Sequence, residues 1–258
     1  MEPPCFAAVL GSLLEVFGNT HLGRPRVIIT IDGPAGTGKS TVAFMLAQRL
    51  DLEFLDTGAM YRALTLLVIE RGVAPTDATA VSAIAEETDL RFDFGISPPP
   101  ILVDGRDVGD RIRLDDVTAC VSLVAAHPAV REAMVRAQQE IGRAHPRLVT
   151  EGRDQGTVVF PDAELKVYLD ARPEIRARRR ALQLRSKRMP SDEASILRAI
   201  IERDRLDSTR ATGRMARASD AVLVDTSDLD TDAVVERLVG IARDRLESVL
   251  GVASGDGD

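Results

Sequence analysis

Gly33-Pro34-Ala35-Gly36-Thr37-Gly38-Lys39-Ser40 decides the fold. It has the spacing G-x-x-x-x-G-K-[ST] and separates two segments of different periodicity. Residues 26–32 (RVIITID) are a short β-branched run that reads as a buried strand. Beyond the loop, Val42, Met45, Leu46 and Leu50 recur at helical spacing and predict a helix over residues 40–50. Glycines let the backbone amides turn inward around a phosphate, and the helix N-terminus adds partial positive charge. In such a loop the lysine, Lys39, reaches the β- and γ-phosphates, and the Ser40 hydroxyl can ligate Mg2+. At average residue usage the fixed positions arise by chance in about one chain in a hundred of this length. The strand–loop–helix setting lowers that further, so the reading is a nucleoside-triphosphate site.

Working outward, short strands alternate with helical patterns. Strands are predicted over residues 52–55, 148–150, 165–169 (LKVYL) and 221–224 (AVLV), with a helix over 59–70. That rhythm indicates an α/β domain with a parallel sheet and right-handed crossovers. Residues 90–113 break it, reading RFDF, then Pro98 to Pro100, then ILVDGRDV. They predict an inserted β-hairpin turning at Asp104-Gly105.

With 258 residues, 45% of them hydrophobic and 28% charged, the chain is long enough to bury a core without covalent staples. Its two cysteines, Cys5 and Cys120, are far apart and suggest neither a disulfide framework nor a metal cluster, which favours a reducing compartment. No run approaches the ~18 apolar residues of a membrane helix. The apolar stretch 5–14 lacks the preceding Lys or Arg of a signal peptide. Residues 1–24 read as an extension ahead of the domain, poorly ordered or briefly helical, or as the product of a start codon placed too early. The small, acidic residues 251–258 read as a frayed tail.

The net charge is −7, but residues 172–217 hold thirteen Arg and one Lys against six acids. That segment carries +8 and leaves −15 for the rest. A basic segment on an acidic body suits a local anion site better than a nucleic-acid coat, because Arg presents paired planar donors to phosphate oxygens. A solvated arginine-rich helix face is the plainer alternative. No Lys follows an Asn, so the N-K-x-D base reader expected of a GTPase is missing, as is a protein-kinase H-R-D motif. ATPases and small-molecule phosphotransferases remain.

Two further stretches lie at strand ends, where ligand crevices of open α/β sheets are found. One is Asp56-Thr57-Gly58-Ala59-Met60-Tyr61-Arg62, with Thr57 placed to cap a helix and Arg62 in its first turns. The other is Glu151-Gly152-Arg153-Asp154-Gln155-Gly156-Thr157, whose first carboxylate can hold the waters of a magnesium ion. Arg203, Asp207 and Arg210 are spaced i, i+4, i+7 and share a helix face, which alone could be only an ion-pair ladder. His127 and His145 each precede a proline and match no ligand pattern; His21 lies in the extension.

In this order, the loop, DTGAMYR (56–62), VREAM (130–134) and EGRDQGTVVFPDA (151–163) resemble the bacterial cytidylate kinase family of nucleoside monophosphate kinases. The resemblance covers about residues 26–246, and its most specific block is EGRDQGTVVFPDA. It implies an α/β P-loop fold of three layers with a parallel five-stranded core sheet. It also implies a monophosphate-binding part over about 57–145, enlarged by an inserted β-element, and a helical lid over about 172–190, all within a domain of residues 25–250. By matching motif, Gly33, Pro34, Ala35, Gly36, Thr37, Gly38, Lys39, Ser40 and Thr41 would hold ATP. Arg62, Arg153 and Arg203 would grip the phosphate of CMP or dCMP. Thr57, Ser122, Arg131, Asp154 and Arg210 would contact cytosine, and Asp207 the sugar. Mg2+ would be held by Ser40 and, through water, Glu151. Thr57 stands where the family often has Ser, and Glu151 where it often has Asp; both keep the functional group.

The resemblance further implies a cytoplasmic enzyme, expected as a monomer, acting on ATP, CMP and dCMP without nucleic-acid or membrane partners. Transfer to a phosphate oxygen needs positioning and charge stabilisation rather than a strong base. Lys39, Arg153, Arg203 and the lid residues Arg176 and Arg180 are the expected catalytic cations. In a helix Arg176, Arg179 and Arg180 share a face, so at least two are expected to reach the phosphates together. A kinase for UMP, AMP or a metabolite, and a nucleic-acid-binding ATPase, are the competing expectations.

Overall fold

The computed structural model of the chain describes residues 25–186 and 188–250. The expectations for residues 1–24 and 251–258, with Cys5 and His21, lie outside the described residues. So does Lys187, within the expected lid.

A five-stranded sheet in the order β2-β6-β1-β7-β8 forms the centre. Its strands are β1 (Val27–Asp32), β2 (Glu53–Asp56), β6 (Arg147–Gly152), β7 (Leu165–Asp170) and β8 (Val222–Asp225), and all pairings are parallel. β1 is buried along its whole length, as a central strand covered on both faces must be. Its side chains alternate between the two faces. Val27, Ile29 and Ile31 pack with α1 (Lys39–Arg49) and α8 (Thr231–Leu250), while Ile28 meets Val159 and Phe160 on the other side. Each buried Val or Ile of this kind contributes about 1.5–3 kcal/mol through lost apolar exposure.

The second core lies on the flank of β2 and β6. There Met60, Leu64 and Leu67 of α2 (Thr57–Glu70) pack with Val81 and Ile84 of α3 (Ala78–Glu87), Val117 of α4 (Asp115–Val124) and Val130 of α5 (Pro128–Ala144). Pro128 occupies the first turn of α5, where its missing N–H costs nothing, and His127 precedes it in extended backbone. The insertion joins this core through Ile101, Val103 and Val108. It is a three-stranded antiparallel sheet of β3 (Leu90–Phe92), β4 (Ile101–Val103) and β5 (Arg106–Asp107), so the expected hairpin, β4–β5, gains a third strand, β3. Asp104 and Gly105 both have positive φ, 49° and 78°, as the tight turn expected of an Asp-Gly pair requires.

Helices α6 (Pro173–Ser186) and α7 (Glu193–Thr209) follow β7 and pack against each other. Helix α6 falls in the segment 172–190 expected to form the lid, and α7 lies beyond it. The register pairs Asp32 with Gly152 and Tyr168, and Asp56 with Glu151, so the C-terminal ends of the strands come level. Loops leaving those ends therefore converge on one crevice. No described helix is long and apolar enough to cross a membrane.

Candidate active site

The phosphate loop runs from the end of β1 into α1. Gly33 has φ +143°, and a Cβ there would stand 2.0 Å from the Leu169 carbonyl oxygen, so the loop leaves the sheet where no side chain fits. Gly38 is left-handed at the helix N-cap, which turns the amides of the first turn toward the loop. Lys39 is buried and donates to the Pro34 carbonyl at 2.7 Å. Burial, and then the charge of Arg153, push its pKa down to about 7, against opposing pulls from Glu151 and Asp32. A buried ammonium in this position is favoured by an incoming anion.

At the end of β6, Glu151 accepts a hydrogen bond from the Ser40 hydroxyl at 2.8 Å, and its carbonyl accepts one from Thr57 Oγ1 at 2.7 Å. Asp56, the true N-cap of α2, accepts from the Ala59 amide at 2.9 Å. Thr57 was the expected cap; the structure moves that role back one residue and frees the Thr57 hydroxyl to tie α2 to β6. Burial, followed by the adjacent Glu151, raises the Asp56 carboxyl to about 7. Two carboxylates and a hydroxyl meeting at a phosphate loop form an all-oxygen set that suits a hard divalent cation.

Across the crevice, arginines and carboxylates interlock. Arg153 donates through Nε to Asp207 at 3.0 Å and through Nη1 to the Gly152 carbonyl at 3.1 Å. Burial works against its charge, but Asp207 and Glu151 outweigh burial and raise its pKa. Asp207, itself buried, is held below the usual carboxylate range because Arg153, Arg210 and Arg203 outweigh its desolvation. Arg210 completes the pairing with the other oxygen of Asp207. In Arg203, as in Arg210, Nε is buried without a hydrogen-bond partner, and burial, then repulsion from Arg153, lower the Arg203 pKa to about 10. Arg203 is a desolvated cation facing other cations, poised for an anion. Arg62 donates to Thr118 Oγ1 at 2.8 Å and to the Ile112 carbonyl at 3.2 Å. Burial, and the neighbouring cations Arg113, Arg153 and Arg180, lower its pKa against the pull of Asp56.

On the far side, Arg131 and Asp154 form a fully buried ion pair, with the Arg131 guanidinium 5.6 Å from the centre of the Tyr61 ring. Burial raises the Asp154 carboxyl despite that partner. Ser122 is half-buried on α4, one turn beyond Thr118. Asp32 braces the strand-end loop: its carboxylate accepts from the Gln155 and Gly156 amides at 2.8 Å each, at the start of the π-helical turn Gln155–Val159. That fixes the two residues immediately before the turn, Arg153 and Asp154, relative to the phosphate loop.

The cytidylate kinase family model matches residues 29–244. The chain belongs to the cytidylate kinase family. Among relatives, it is 48% identical over 227 residues to the cytidylate kinase of Rhodococcus jostii (strain RHA1), covering 87% of this chain and 98% of that protein. It is 48% identical over 222 residues to that of Rhodococcus opacus (strain B4), covering 85% and 96%. The match to the bifunctional pantoate ligase/cytidylate kinase of Synechococcus sp. (strain CC9902) is 46% over 244 residues, 93% of this chain and 50% of that protein.

Hydrogen bonds, ion pairs and mutual charge effects link Lys39, Ser40, Thr57, Arg62, Arg131, Glu151, Arg153, Asp154, Arg203, Asp207 and Arg210, and two arginines of α6 are placed differently from expectation. Arg176, expected to reach the phosphates, is buried and bound to the protein, donating to the Ala171 carbonyl at 2.9 Å and the Ala35 carbonyl at 3.0 Å and pairing with Asp204 at 2.6 Å. Arg179, expected on the same face, reaches the other way to the Thr226 and Leu229 carbonyls. Arg180 lies close enough to act electrostatically on Arg62. Sequence reasoning missed Asp32, Asp56, Tyr61 and Asp204. Asp32 directly precedes the phosphate loop and Asp56 opens the motif 56–62, strand-end positions that could have flagged both.

Proposed function

We propose that this chain transfers the γ-phosphoryl group of ATP to CMP and dCMP, yielding CDP and dCDP. The observation that carries this reading is the acceptor side of the crevice. Arg62, Arg153 and Arg203 come from three separate stretches of chain yet lie close enough to repel one another, and Arg203 has an unpartnered buried Nε. A phosphate dianion supplies the charge that this array lacks.

Thr57, Ser122, Arg131, Asp154 and Arg210 take the base, with Asp154 accepting from the exocyclic amine of cytosine. Asp207 takes the sugar hydroxyls, exchanging part of its pairing with Arg153 and Arg210. Gly33 to Thr41 wrap the phosphates of ATP, with Lys39 leaving the Pro34 carbonyl for the γ-phosphate. Ser40, and Glu151 through water, would hold Mg2+, whose chemistry when bound is to offset negative charge at the transferring phosphoryl group.

The acceptor oxygen needs no strong base, since a nucleotide phosphate with a second pKa near ~6 is mostly dianionic at neutral pH. The chain's task is to hold two anions in line. Lys39, Arg153 and Arg203 offset their repulsion and stabilise the spreading charge. Arg180, beside Arg62, adds positive potential from α6. Helix α6, within residues 172–190, would act as the lid that excludes water from the transfer.

The test is ADP release from ATP and Mg2+ with a panel of CMP, dCMP, UMP, AMP and GMP. CMP and dCMP should turn over at least about tenfold faster than the others, the factor a pocket contact of ~1.4 kcal/mol supplies. Equal turnover of AMP would remove the base assignment, and no turnover of any pyrimidine would remove the function.

A further inference from the structure

Asp204 has no part in the reading above, yet it sits where the two nucleotide sites meet. It lies on α7 next to Arg203 and one turn before Asp207, the residues assigned to the acceptor. Its partner Arg176 belongs to α6 and is only 3% exposed. That one guanidinium reaches three places: the Ala35 carbonyl in the phosphate loop, the Ala171 carbonyl beyond β7, and the Asp204 carboxylate. The stem of Arg176 also packs on the loop, since a Cβ on Gly36 would lie 3.3 Å from the Arg176 Cβ.

The second carboxylate oxygen of Asp204 is buried and has no hydrogen-bond partner. Its charge is felt by Arg153, whose pKa it helps to raise. Arg176 and Asp204 also line a cavity of about 490 Å3 that reaches Pro34 at the start of the loop.

We propose that Asp204 is a positioning residue that couples the two nucleotide sites, by fixing the acceptor-binding helix α7 to the phosphate-loop backbone through Arg176. The proposal rests on the assignment of ATP to the loop and CMP to the arginine array. A loop rearranged by one nucleotide moves the Ala35 carbonyl. Arg176 transmits that shift to Asp204, and Asp204 transmits it to Arg203 and Asp207 on the same helix. Coupling of this kind is reciprocal, so each nucleotide should tighten the other by the same factor.

The experiment uses the full chain and Asp204→Asn, which keeps the shape and removes the charge. Asp162→Asn, which removes an exposed carboxylate paired with Arg26, controls for the loss of charge alone. CMP binding is measured by calorimetry with and without a non-hydrolysable ATP analogue and Mg2+. The unaltered chain and Asp162→Asn should bind CMP about fivefold tighter or more with the analogue present, the lower end of typical coupling. Asp204→Asn should bind CMP alone within about threefold of the unaltered chain while losing that enhancement. Its kcat should fall at least about tenfold while KM for CMP at low ATP changes little.

Retention of the enhancement in Asp204→Asn, or its absence from the unaltered chain, overturns the proposal. Failure of the unaltered chain to bind CMP at all overturns the parent assignment instead. Should Asp204→Asn not fold, amide exchange in the unaltered chain decides the matter. CMP alone should slow exchange at residues 33–38, and no change there overturns the coupling.

Discussion

At the scale of single residues, the site is defined by charges held where water is scarce. Arg203, desolvated and beside Arg153, should contribute more to the transition state than an exposed arginine could. Arg203→Met should therefore lower kcat/KM for CMP on the order of 10²–10³-fold with little change in KM for ATP, measured by steady-state kinetics. Lys39→Ala should lose transfer to a similar or greater extent. Asp56 makes a prediction about stability. Its folded pKa, about 7, lies above the ordinary carboxylate value of 3.8, so between those pH values the native state holds more protons than the unfolded chain. Stability from this group is present below pH ~4 and is lost as pH rises toward 7. Asn keeps the helix cap without the charge. Asp56→Asn should accordingly unfold at a higher temperature than the unaltered protein at pH 8, with the difference shrinking at pH 4 in calorimetric scans. A gain as large at pH 4 as at pH 8 would show that Asp56 does not carry this charge cost.

At the scale of elements, the strand–loop–helix unit depends on one backbone passage. With φ at +143° and the Leu169 carbonyl where a Cβ would stand, Gly33→Ala cannot be accommodated without moving β1 away from β7. Urea unfolding should show a loss of several kcal/mol, as expected of a clash with backbone in a buried strand pair. ATP affinity should fall with it. Most of this level was legible in the sequence, because β-branched runs and helical spacing are local signals. Each strand of the main sheet was placed within one or two residues, the range over which element ends are commonly ambiguous. The third strand, β3, was not legible as such, since three residues carry too little periodicity. The fate of the α6 arginines was not legible either. Three residues on one helical stripe span enough arc for Arg176 to meet the phosphate loop while Arg179 meets the segment after β8. Which way each turns depends on the carbonyls that neighbouring elements present. For the same reason Arg131 and Asp154, 23 residues apart, could be assigned to the base by resemblance but not paired by spacing.

At the scale of the whole molecule, the charge asymmetry finds an internal use. The segment 172–217 carries a surplus of +8, yet the fold turns much of it inward or against local partners. Arg176 pairs with Asp204, Arg210 with Asp207, Arg205 with Glu202 and Arg172 with Asp228, while Arg179 is bound to carbonyls and Arg203 faces the acceptor space. A surface that binds nucleic acid nonspecifically needs many cations free to replace counterions along a backbone, and affinity then falls steeply with salt. Arg178, Arg185, Arg188, Arg198, Arg214 and Arg217 stay exposed, but they sit on a body whose remaining residues carry −15. A labelled 30-nucleotide RNA or duplex DNA at 50 mM salt should therefore show no retarded complex at micromolar protein. CMP turnover under the same conditions should slow as ionic strength rises, because screening weakens attraction of the acceptor dianion. A tight complex that dissolves between 50 and 200 mM salt would mean that the arginines of α6 and α7 serve a polyanion, and that the crevice is not their main client.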